Sequence, residues 1–350
     1  MHDLAYKTAI VGYGEASPRK VEGKTSLQFT AEAALLAMQD AGVTPAQIDG
    51  VFTGYTTVDP YPFYSAALAE FLGIRPRAHA AVHTGGSVYG QIFAQAMMAL
   101  ATGRCDVALV AHGDNRASGL SRSETIARNA AGAGHPDYEN PLGLTVPSAY
   151  ALAAARHMHL YGTTHSQLAA LAVTQRNHAL LNPNALMQKP LTLEDAMTAR
   201  PIASPLRMFD CCLVSDFGGA FIVTRADRAA DHPHPPVLIG GYGEYMTHEY
   251  ITAMPDVTVT GAVQSGREAF AMAGLTPADM QFAQLYDCFT ITPLLVLEDL
   301  GFCAKGEGGP FVADPANIGL GGGLPLNTYG GMLSASNGGI CHFIEAVRQL

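Results

Sequence analysis

The sequence has few charged residues and no long apolar run, and each of these absences excludes a class of protein. Only 14% of its 350 residues are charged and nearly half are apolar, which is typical of a globular protein with a large core. No segment carries 18 consecutive apolar residues, so no membrane span is predicted. The N-terminal run MHDLAYKTAIVGYGE lacks the basic and apolar regions of a signal peptide, so we expect a cytoplasmic protein.

Positively charged residues are outnumbered by negatively charged ones, and the formal net charge is −10 with histidine counted as neutral. An acidic chain is a poor partner for the phosphates of nucleic acid, so no nucleic-acid partner is predicted. An anionic small ligand would need a local basic patch, which the net charge does not exclude.

The six cysteines show no metal-binding or redox spacing. None belongs to a CxxC pair, and their scatter predicts reduced thiols that pack as small apolar side chains. His157, His159 and His165 lie close together, but no cysteine or carboxylate stands at ligand spacing. We therefore predict no metal site, and an ordinary helix surface for these histidines.

The clearest positive feature is an internal repeat. The tetrad GYGE begins at Gly12 and again at Gly241, 229 residues later, and the turn AGxTP begins at Ala41 and again at Ala273, 232 residues later. Each turn follows an alanine-rich stretch that predicts a helix, and each precedes a run that predicts a strand, IDGVFTGY or MQFAQLYD. The pattern predicts two copies of one α/β half.

The first half is predicted to continue through a glycine-rich turn at residues 83–90. The helix IFAQAMMALATG and a buried strand over 105–114 follow this turn. An insert over about 115–205, with helical stretches and no counterpart in the second half, is expected to help build a site. A buried strand over 216–224 completes the half.

The second half has its own glycine-rich turn at residues 329–339, followed by the helix ICHFIEAVRQL. We assign residues 1–230 to the first half and 231–350 to the second. The repeat predicts a further strand after that last helix, and none is present. We therefore expect the natural protein to continue for about 30–45 residues.

Together these features resemble the thiolase superfamily, in particular its sterol-carrier or lipid-transfer type. The segment DCCLVSDFGGAFIVT (210–224) resembles the SDGAAA-like stretch of thiolases, and YDCF (286–289) resembles the HDCF segment of the sterol-carrier type. NTYGGMLSASNGG (327–339) resembles the region that carries their GHP motif. The resemblance spans essentially the whole chain and implies a duplicated α/β fold with five layers, α/β/α/β/α.

The thiolase nucleophile is missing from this sequence. Thiolases hold a reactive cysteine at the N-terminus of the buried helix, where the helix dipole and backbone amides favour a thiolate and an oxyanion. Counting back from the end of that helix places this position at Gly86. A shifted alignment would choose Thr84 or Ser87, but no cysteine lies in this turn. The acyl-enzyme route of thiolases is therefore expected to be absent.

Two histidine positions of the family also differ. The histidine of HDCF is replaced by Tyr286, and that of GHP aligns with Asn337. Asn337 is predicted to be either an oxyanion donor or a turn residue in the left-handed conformation. The second catalytic cysteine of thiolases, in a CxG motif, would lie beyond residue 350.

These departures resemble the thiolase-like aldolases of steroid side-chain degradation, which lack the cysteine and use an active-site tyrosine. The resemblance implies retro-aldol cleavage of a β-hydroxyacyl coenzyme A thioester, with no permanently bound cofactor. Amides of the turn Gly85, Gly86 and Ser87 would bind the thioester oxygen and stabilise an enolate. Tyr286 would be the base for the β-hydroxyl, provided that its pKa is lowered.

Four other features lie near this region. His83 is either an acid–base residue or a loop surface residue, and Tyr329 is a second phenol and a candidate catalytic residue. Asp287 is expected to cap the helix that follows it. The loop GLGGG (319–323) lacks the strand and helix context of a dinucleotide site, so it is predicted to be a flexible approach to the active site.

Two alternative functions and two protein partners are also predicted. The alternatives are acyl transfer of the acetyl-CoA acetyltransferase type with another nucleophile, and a non-catalytic acyl-CoA-binding subunit. The family resemblance also implies a homodimer, formed through the strand CDVALV (105–110) or through the residues just before His83. It further implies an OB-fold partner of the DUF35 type.

Overall fold

A six-stranded mixed sheet forms the centre of the molecule. The computed structural model describes residues 4–16, 20–59, 61–131 and 134–350. The strands are β1 (Thr8–Ala16), β2 (Gly50–Gly54), β3 (Ala78–Val82), β4 (Val107–Asn115), β5 (Pro201–Ala203), β6 (Leu206–Arg207), β7 (Asp216–Arg225) and β8 (Val237–Ile239). The helices are α1 (Ser26–Ala41), α2 (Tyr64–Leu72), α3 (Val88–Ala101), α4 (Arg122–Ala131), α5 (Val146–Tyr161), α6 (His165–Ala179), α7 (Leu193–Thr198), α8 (Ala262–Ala273), α9 (Ile291–Leu300), α10 (Gly308–Ala313), α11 (Pro315–Ile318), α12 (Gly331–Ser334) and α13 (Ile340–Gln349).

The order of strands in this sheet is β3-β2-β4-β7-β1-β8, whereas β5 and β6 form a separate two-stranded sheet. β2 is parallel to both β3 and β4, whereas β7 is antiparallel to β4 and β1. β8 comes from the second half of the chain and pairs antiparallel with β1. β4 is therefore paired on both sides, so the prediction that CDVALV provides a dimer edge is wrong. β3 lies at the edge.

Helices cover both faces of this sheet. α1 and α2 pack on one face around fully buried side chains such as Phe29 and Leu68. α3 and α13 pack on the other face, around residues such as Ile92 and Ile344. The two helices that begin next to the predicted glycine-rich turns thus lie on the same face, which brings the two turns together.

The predicted helical insert has a separate core that it shares with the second half. Its two long helices are α5 and α6, and two shorter ones are α4 and α7. Leu168 and Leu171 of α6 pack with Leu294 and Leu297 of α9, all fully buried. The insert is therefore fixed to the second half by apolar packing.

The repeat is visible in how glycines meet helices. A Cβ on Gly12 would lie 2.6 Å from the Ala41 nitrogen, and one on Gly14 would meet the Ala33 oxygen and lie 2.5 Å from the Ala37 nitrogen. In the second half the equivalent helix is α8, and the contacts fall on every fourth residue. A Cβ on Gly243 would meet Ser265, and one on Gly241 would meet Ala269 and Ala273. The repeated GYG is thus a close contact between chain and helix, made once in each half.

Gly14→Ala is expected to lower the free energy of unfolding by about 1–3 kcal/mol, because the added methyl would meet backbone atoms of α1 that cannot move independently. Urea denaturation followed by circular dichroism measures this. Gly90→Ala in α3 is the matched control, since a Cβ there would meet only Tyr242, at 3.9 Å. Equal stability of the two variants would contradict the role assigned to the repeat.

One predicted strand does not form. The run MQFAQLYD (280–287) makes a single parallel bridge, between Ala283 and Leu326, and no strand of either sheet. The Asn327 side chain replaces further pairing, because it bonds the nitrogen of Leu285 at 2.7 Å and the oxygen of Leu285 at 2.9 Å. An apolar run becomes a strand only where neighbouring strands are in place.

Among the described residues, none of the helices combines the length and apolar character needed to cross a bilayer.

Candidate active site

A cleft of about 190 Å³ lies where six segments of the chain converge. They are the segment after β2, the turn between β3 and α3, the end of β4, the start of β7, the segment before α9, and the loop between α12 and α13. The cleft is lined by Tyr55, Thr57, Val82, His83, Thr84, Gly85, Gly86, Val88, Tyr89, His112, Arg116, Phe217, Tyr286 and Asn337. It therefore contains most of the residues that the sequence singled out, from both halves.

Gly86 and Tyr286 are in direct contact. A Cβ on Gly86 would lie 2.5 Å from Cζ, 2.7 Å from the hydroxyl oxygen and 2.8 Å from Cε1 of Tyr286. On the other side of the ring, a Cβ on Gly339 would lie 3.1 Å from Tyr286 Cε2 and would overlap Tyr89. The phenol therefore occupies the space that any side chain at position 86 would need.

Tyr286 does not have the lowered pKa that a resting tyrosine base requires. Burial raises the pKa of its phenol well above the usual value, and the neighbouring thiols of Cys288 and Cys212 raise it further. That condition of the sequence prediction is not met. At neutral pH, Tyr286 is a neutral phenol, and it is a proton donor before it is an acceptor.

The predicted oxyanion turn precedes the long helix α3. Residues 85–87 form one turn of 3₁₀ helix that continues into α3, and Gly85 has a φ of +60°. The Thr84 hydroxyl bonds Gln91 at 2.7 Å, which ties the turn to the first turns of the helix. Free amides at such a terminus attract negative charge. His83 is exposed beside this turn, and its ring lies edge-on to Tyr55 at 5.8 Å.

Asn337 lines the cleft, but its amide group points away from it. Nδ2 donates to the Leu213 carbonyl and lies 3.5 Å from the Cys212 sulfur. Oδ1 instead faces Arg116, whose Nη1 lies 3.4 Å away. The predicted left-handed turn conformation is wrong, because Asn337 does not have a positive φ. In this conformation Asn337 offers no donor to a ligand.

Arg116 is a cleft residue that the sequence did not reveal. It follows the last residue of β4, and its Nε donates to the Asp114 carboxylate at 3.2 Å. Asp114 is fully buried and also accepts from the hydroxyls of Thr56 at 3.0 Å and Thr57 at 2.7 Å. Although burial opposes it, the charge of Asp114 keeps the pKa of Arg116 above its ordinary value. A permanent cation therefore lies beside Tyr286.

His112 is a second cleft residue that was missed. Its ring packs against Tyr89 at 5.5 Å and Phe217 at 5.4 Å, and neither ring nitrogen has a hydrogen-bond partner among the described residues. Burial lowers its pKa to about 4, so the imidazole is neutral at physiological pH. The sequence signal was available, since polar residues interrupt the apolar run of β4 just where the strand ends.

Tyr329 lies behind the cleft and does not line it. Its hydroxyl is 3.2 Å from Nδ1 of His342, whose Nε2 is 3.0 Å from the Asp287 carboxylate. Asp287 also accepts from the backbone nitrogens of Met332 at 2.9 Å and Leu333 at 3.3 Å. The prediction that Asp287 caps the following helix is wrong, because it caps α12 instead. These buried hydrogen bonds fix the position of Asp287, the residue directly after Tyr286.

The three histidines of the insert are not grouped. His157 is fully buried, not on a helix surface as predicted, and its ring bonds Glu298 and Thr163. His159 is exposed, and His165 bonds Asp210 at 2.9 Å. Across the described ranges, no cluster of three or more histidine, cysteine, aspartate or glutamate residues is arranged to hold a metal ion. The GLGGG loop (319–323) does not line the cleft either.

Comparison with known proteins identifies the family. Residues 243–350 match the model of the thiolase C-terminal domain-like family. A 17-hydroxy-3-oxo-4-pregnene-20-carboxyl-CoA lyase of Mycobacterium tuberculosis is 39% identical over 99% of this chain and 92% of its own length. The chain belongs to the thiolase superfamily. The predicted resemblance to its sterol-carrier type and to steroid side-chain aldolases is confirmed.

Two further relatives of this thiolase-like protein agree. A steroid side-chain-cleaving aldolase of Thermomonospora curvata is 37% identical, covering 99% of this chain and 91% of that protein. The solved Ltp2–ChsH2(DUF35) aldolase is 36% identical with a TM-score of 0.88, covering 99% of this chain and 90% of that one. The predicted thiolase-like α/β fold is confirmed, and the thiolase-like protein is an enzyme of the carbon–carbon lyase type.

Proposed function

We propose that this thiolase-like enzyme breaks the Cα–Cβ bond of a β-hydroxyacyl-CoA by a retro-aldol reaction. The products are a ketone or aldehyde and a shorter acyl-CoA. The named activities of the Mycobacterium and Thermomonospora relatives favour a steroid-derived acyl group. The reaction needs neither an acyl-enzyme intermediate nor a bound cofactor.

The contact between Gly86 and Tyr286 carries this proposal. A thiolase requires a nucleophile at the start of α3, and here that position is a glycine whose side-chain space is filled by the Tyr286 phenol. None of the six cysteines lines the cleft. Burial raises the pKa of the Cys212 thiol and raises that of Cys288 to about 11, so neither is a ready thiolate. Acyl transfer of the acetyl-CoA acetyltransferase type is disfavoured for this reason.

The proposed reaction uses residues on the two sides of the cleft. His83 accepts the proton of the β-hydroxyl, and the carbonyl of the leaving ketone forms as the Cα–Cβ bond breaks. The electron pair of that bond moves into the acyl-CoA as an enolate, whose oxygen is bound by donors near the turn 85–87. The neutral Tyr286 phenol then protonates Cα, and the tyrosinate regains its proton from the His83 imidazolium through solvent.

Two protein partners are also proposed. β3 is an edge strand of the sheet, and a second copy of this chain is expected to pair along it, directly before His83. A DUF35 protein is proposed as the second partner, on the basis of the Ltp2–ChsH2(DUF35) aldolase, which has the same fold. Light scattering of the purified chain, alone and with such a partner, tests both.

The activity is tested with 17-hydroxy-3-oxo-4-pregnene-20-carboxyl-CoA, the compound named for the Mycobacterium relative. We expect release of a steroid ketone and a shorter acyl-CoA, without added coenzyme A, measured by liquid chromatography with mass spectrometry. The chain is assayed alone and together with a DUF35 protein. A strict requirement for free coenzyme A would show thiolysis instead, and no turnover under either condition would favour a non-catalytic acyl-CoA-binding subunit.

A further inference from the structure

We propose that Arg116 is the charged donor that binds the thioester oxygen while the enolate forms, and that Asn337 holds it in place. This inference rests on the retro-aldol reaction proposed above and assigns a catalytic role that the family motifs do not indicate. Its basis is the orientation of the two side chains in the cleft.

The Asn337 amide is not available to a ligand. Both of its donor directions are used, because Nδ2 donates to the Leu213 carbonyl and to the Cys212 sulfur. Its remaining group, Oδ1, is an acceptor, and an acceptor repels an enolate oxygen. Asn337, which stands at the position of the family's GHP histidine, therefore accepts from Arg116, with 3.4 Å between Oδ1 and Nη1. It cannot itself be the oxyanion donor.

The Arg116 backbone is fixed on both sides of the residue. Before it, β4 is paired with β7 up to Asn115. After it, the nitrogens of Ala117 and Ser118 both donate to the buried Asp216 carboxylate, at 2.8 and 3.0 Å. The position from which the guanidinium reaches into the cleft is thus set by the sheet.

The guanidinium itself is held at one edge only. Nε is bound by Asp114 at 3.2 Å, and one Nη1 hydrogen is directed to Asn337. Of the five N–H groups of a guanidinium, three remain without a partner among the described residues. The Arg116 side chain lines the cleft and is 41% exposed, while Asp114 is fully buried. Such an arrangement, anchored by a carboxylate and open at the other end, suits an oxygen that becomes negative during the reaction.

The surroundings also favour an anion at this point. Asp114 compensates one positive charge and is itself held by two threonine hydroxyls, so it is not free to compete with a ligand. Arg116 lies next to Tyr286, where the Cα of the enolate would receive its proton. The imidazole of His112 is neutral and adds no charge. A developing enolate oxygen is therefore stabilised by Arg116 together with the amides of the turn 85–87.

The test compares Arg116→Gln and Arg116→Lys with the wild-type chain. We expect Arg116→Gln to lower kcat for cleavage about 100-fold, with KM for the acyl-CoA changed by less than about threefold. Lysine keeps the charge without the planar fork, so it should recover part of this loss. Arg225→Gln is the matched control, because Arg225 is 38% exposed and its Nε also binds a carboxylate, that of Asp227, at 3.1 Å.

A second measurement separates this inference from the proposed function. Exchange of the α-protons of propionyl-CoA in deuterated water reports enolate formation without any bond cleavage. Slower exchange in Arg116→Gln supports the role of Arg116, whether or not the wild type cleaves a steroid thioester. A wild type that exchanges but cleaves no thioester would contradict only the proposed reaction. Unchanged exchange, no exchange in the wild type, or a rise in KM with kcat intact would overturn the inference, since the last result indicates binding of the coenzyme A moiety.

Discussion

Tyr286→Phe is expected to lower the rate of retro-aldol cleavage on the order of 10³-fold while the acyl-CoA still binds. The phenol is the proton donor of the proposed reaction, and phenylalanine keeps the ring that fills the space over Gly86. Because only one oxygen atom is lost, the shape of the cleft is preserved. Steady-state cleavage measured by mass spectrometry, with a binding titration of a non-cleavable thioester, separates kcat from affinity.

Tyr64→Phe is the matched control for this prediction. Tyr64 is fully buried, and its hydroxyl bonds Thr30 at 2.7 Å, on the opposite face of the sheet from α3. We expect a loss of stability of about 1 kcal/mol from the missing hydrogen bond and unchanged cleavage. If Tyr286→Phe were as active as Tyr64→Phe, the phenol would have no chemical role.

Gly86→Ala is expected to reduce cleavage by a similar factor, on the order of 10³-fold, with little change in stability. Its methyl would lie 2.5 Å from Tyr286 Cζ, so the ring has to move. The ring lies between Gly86 and Gly339, and moving it withdraws the hydroxyl from the cleft. Because the displaced atoms are the end of a side chain, the core is not disturbed and the effect falls on kcat.

The control and a stronger variant make this result specific. Gly90→Ala, in the first turn of α3, should leave cleavage unchanged, because a Cβ there would meet only Tyr242, at 3.9 Å. Gly86→Cys should also lose cleavage without gaining coenzyme A-dependent acyl transfer, since the thiol and the phenol require the same space. Full cleavage by Gly86→Ala, or thiolase activity in Gly86→Cys, would be incompatible with the contact between Gly86 and Tyr286.

The sequence alone predicted those features that depend on short-range patterns. The helices predicted over 92–103 and 340–350 and the buried strand predicted over 216–224 were recognisable from apolar runs and flanking glycines. The structure has them at 88–101, 340–349 and 216–225. Tyr286 and Asn337 were found because each stands within a family motif, and Gly86 was found by counting back from the end of the helix that follows the glycine-rich turn. The repeat was also detectable, since both copies keep the glycines that a helix contacts closely.

Features that depend on partners far along the chain were not predictable. Asp287 was assigned to the adjacent helix, but its partners are Met332 and His342, 45 and 55 residues later. His157 was placed on a surface because Glu298, its partner, is 141 residues away. Arg116 stands in no motif, and only the sheet brings it next to Asn337, 221 residues later. The strand over 280–287 was wrong because an apolar run does not show whether a neighbour exists to pair with it.

The pairing of β8 with β1 has a consequence for any attempt to divide this enzyme. β8 belongs to the second half, yet it covers the outer edge of the sheet that the first half builds. A fragment that stops at residue 230 would expose the backbone donors and acceptors of β1, which is a ready template for aggregation. Because this pairing joins the two predicted halves in one sheet, we expect them to unfold in a single transition, and we expect a chain divided at residue 230 to give insoluble protein.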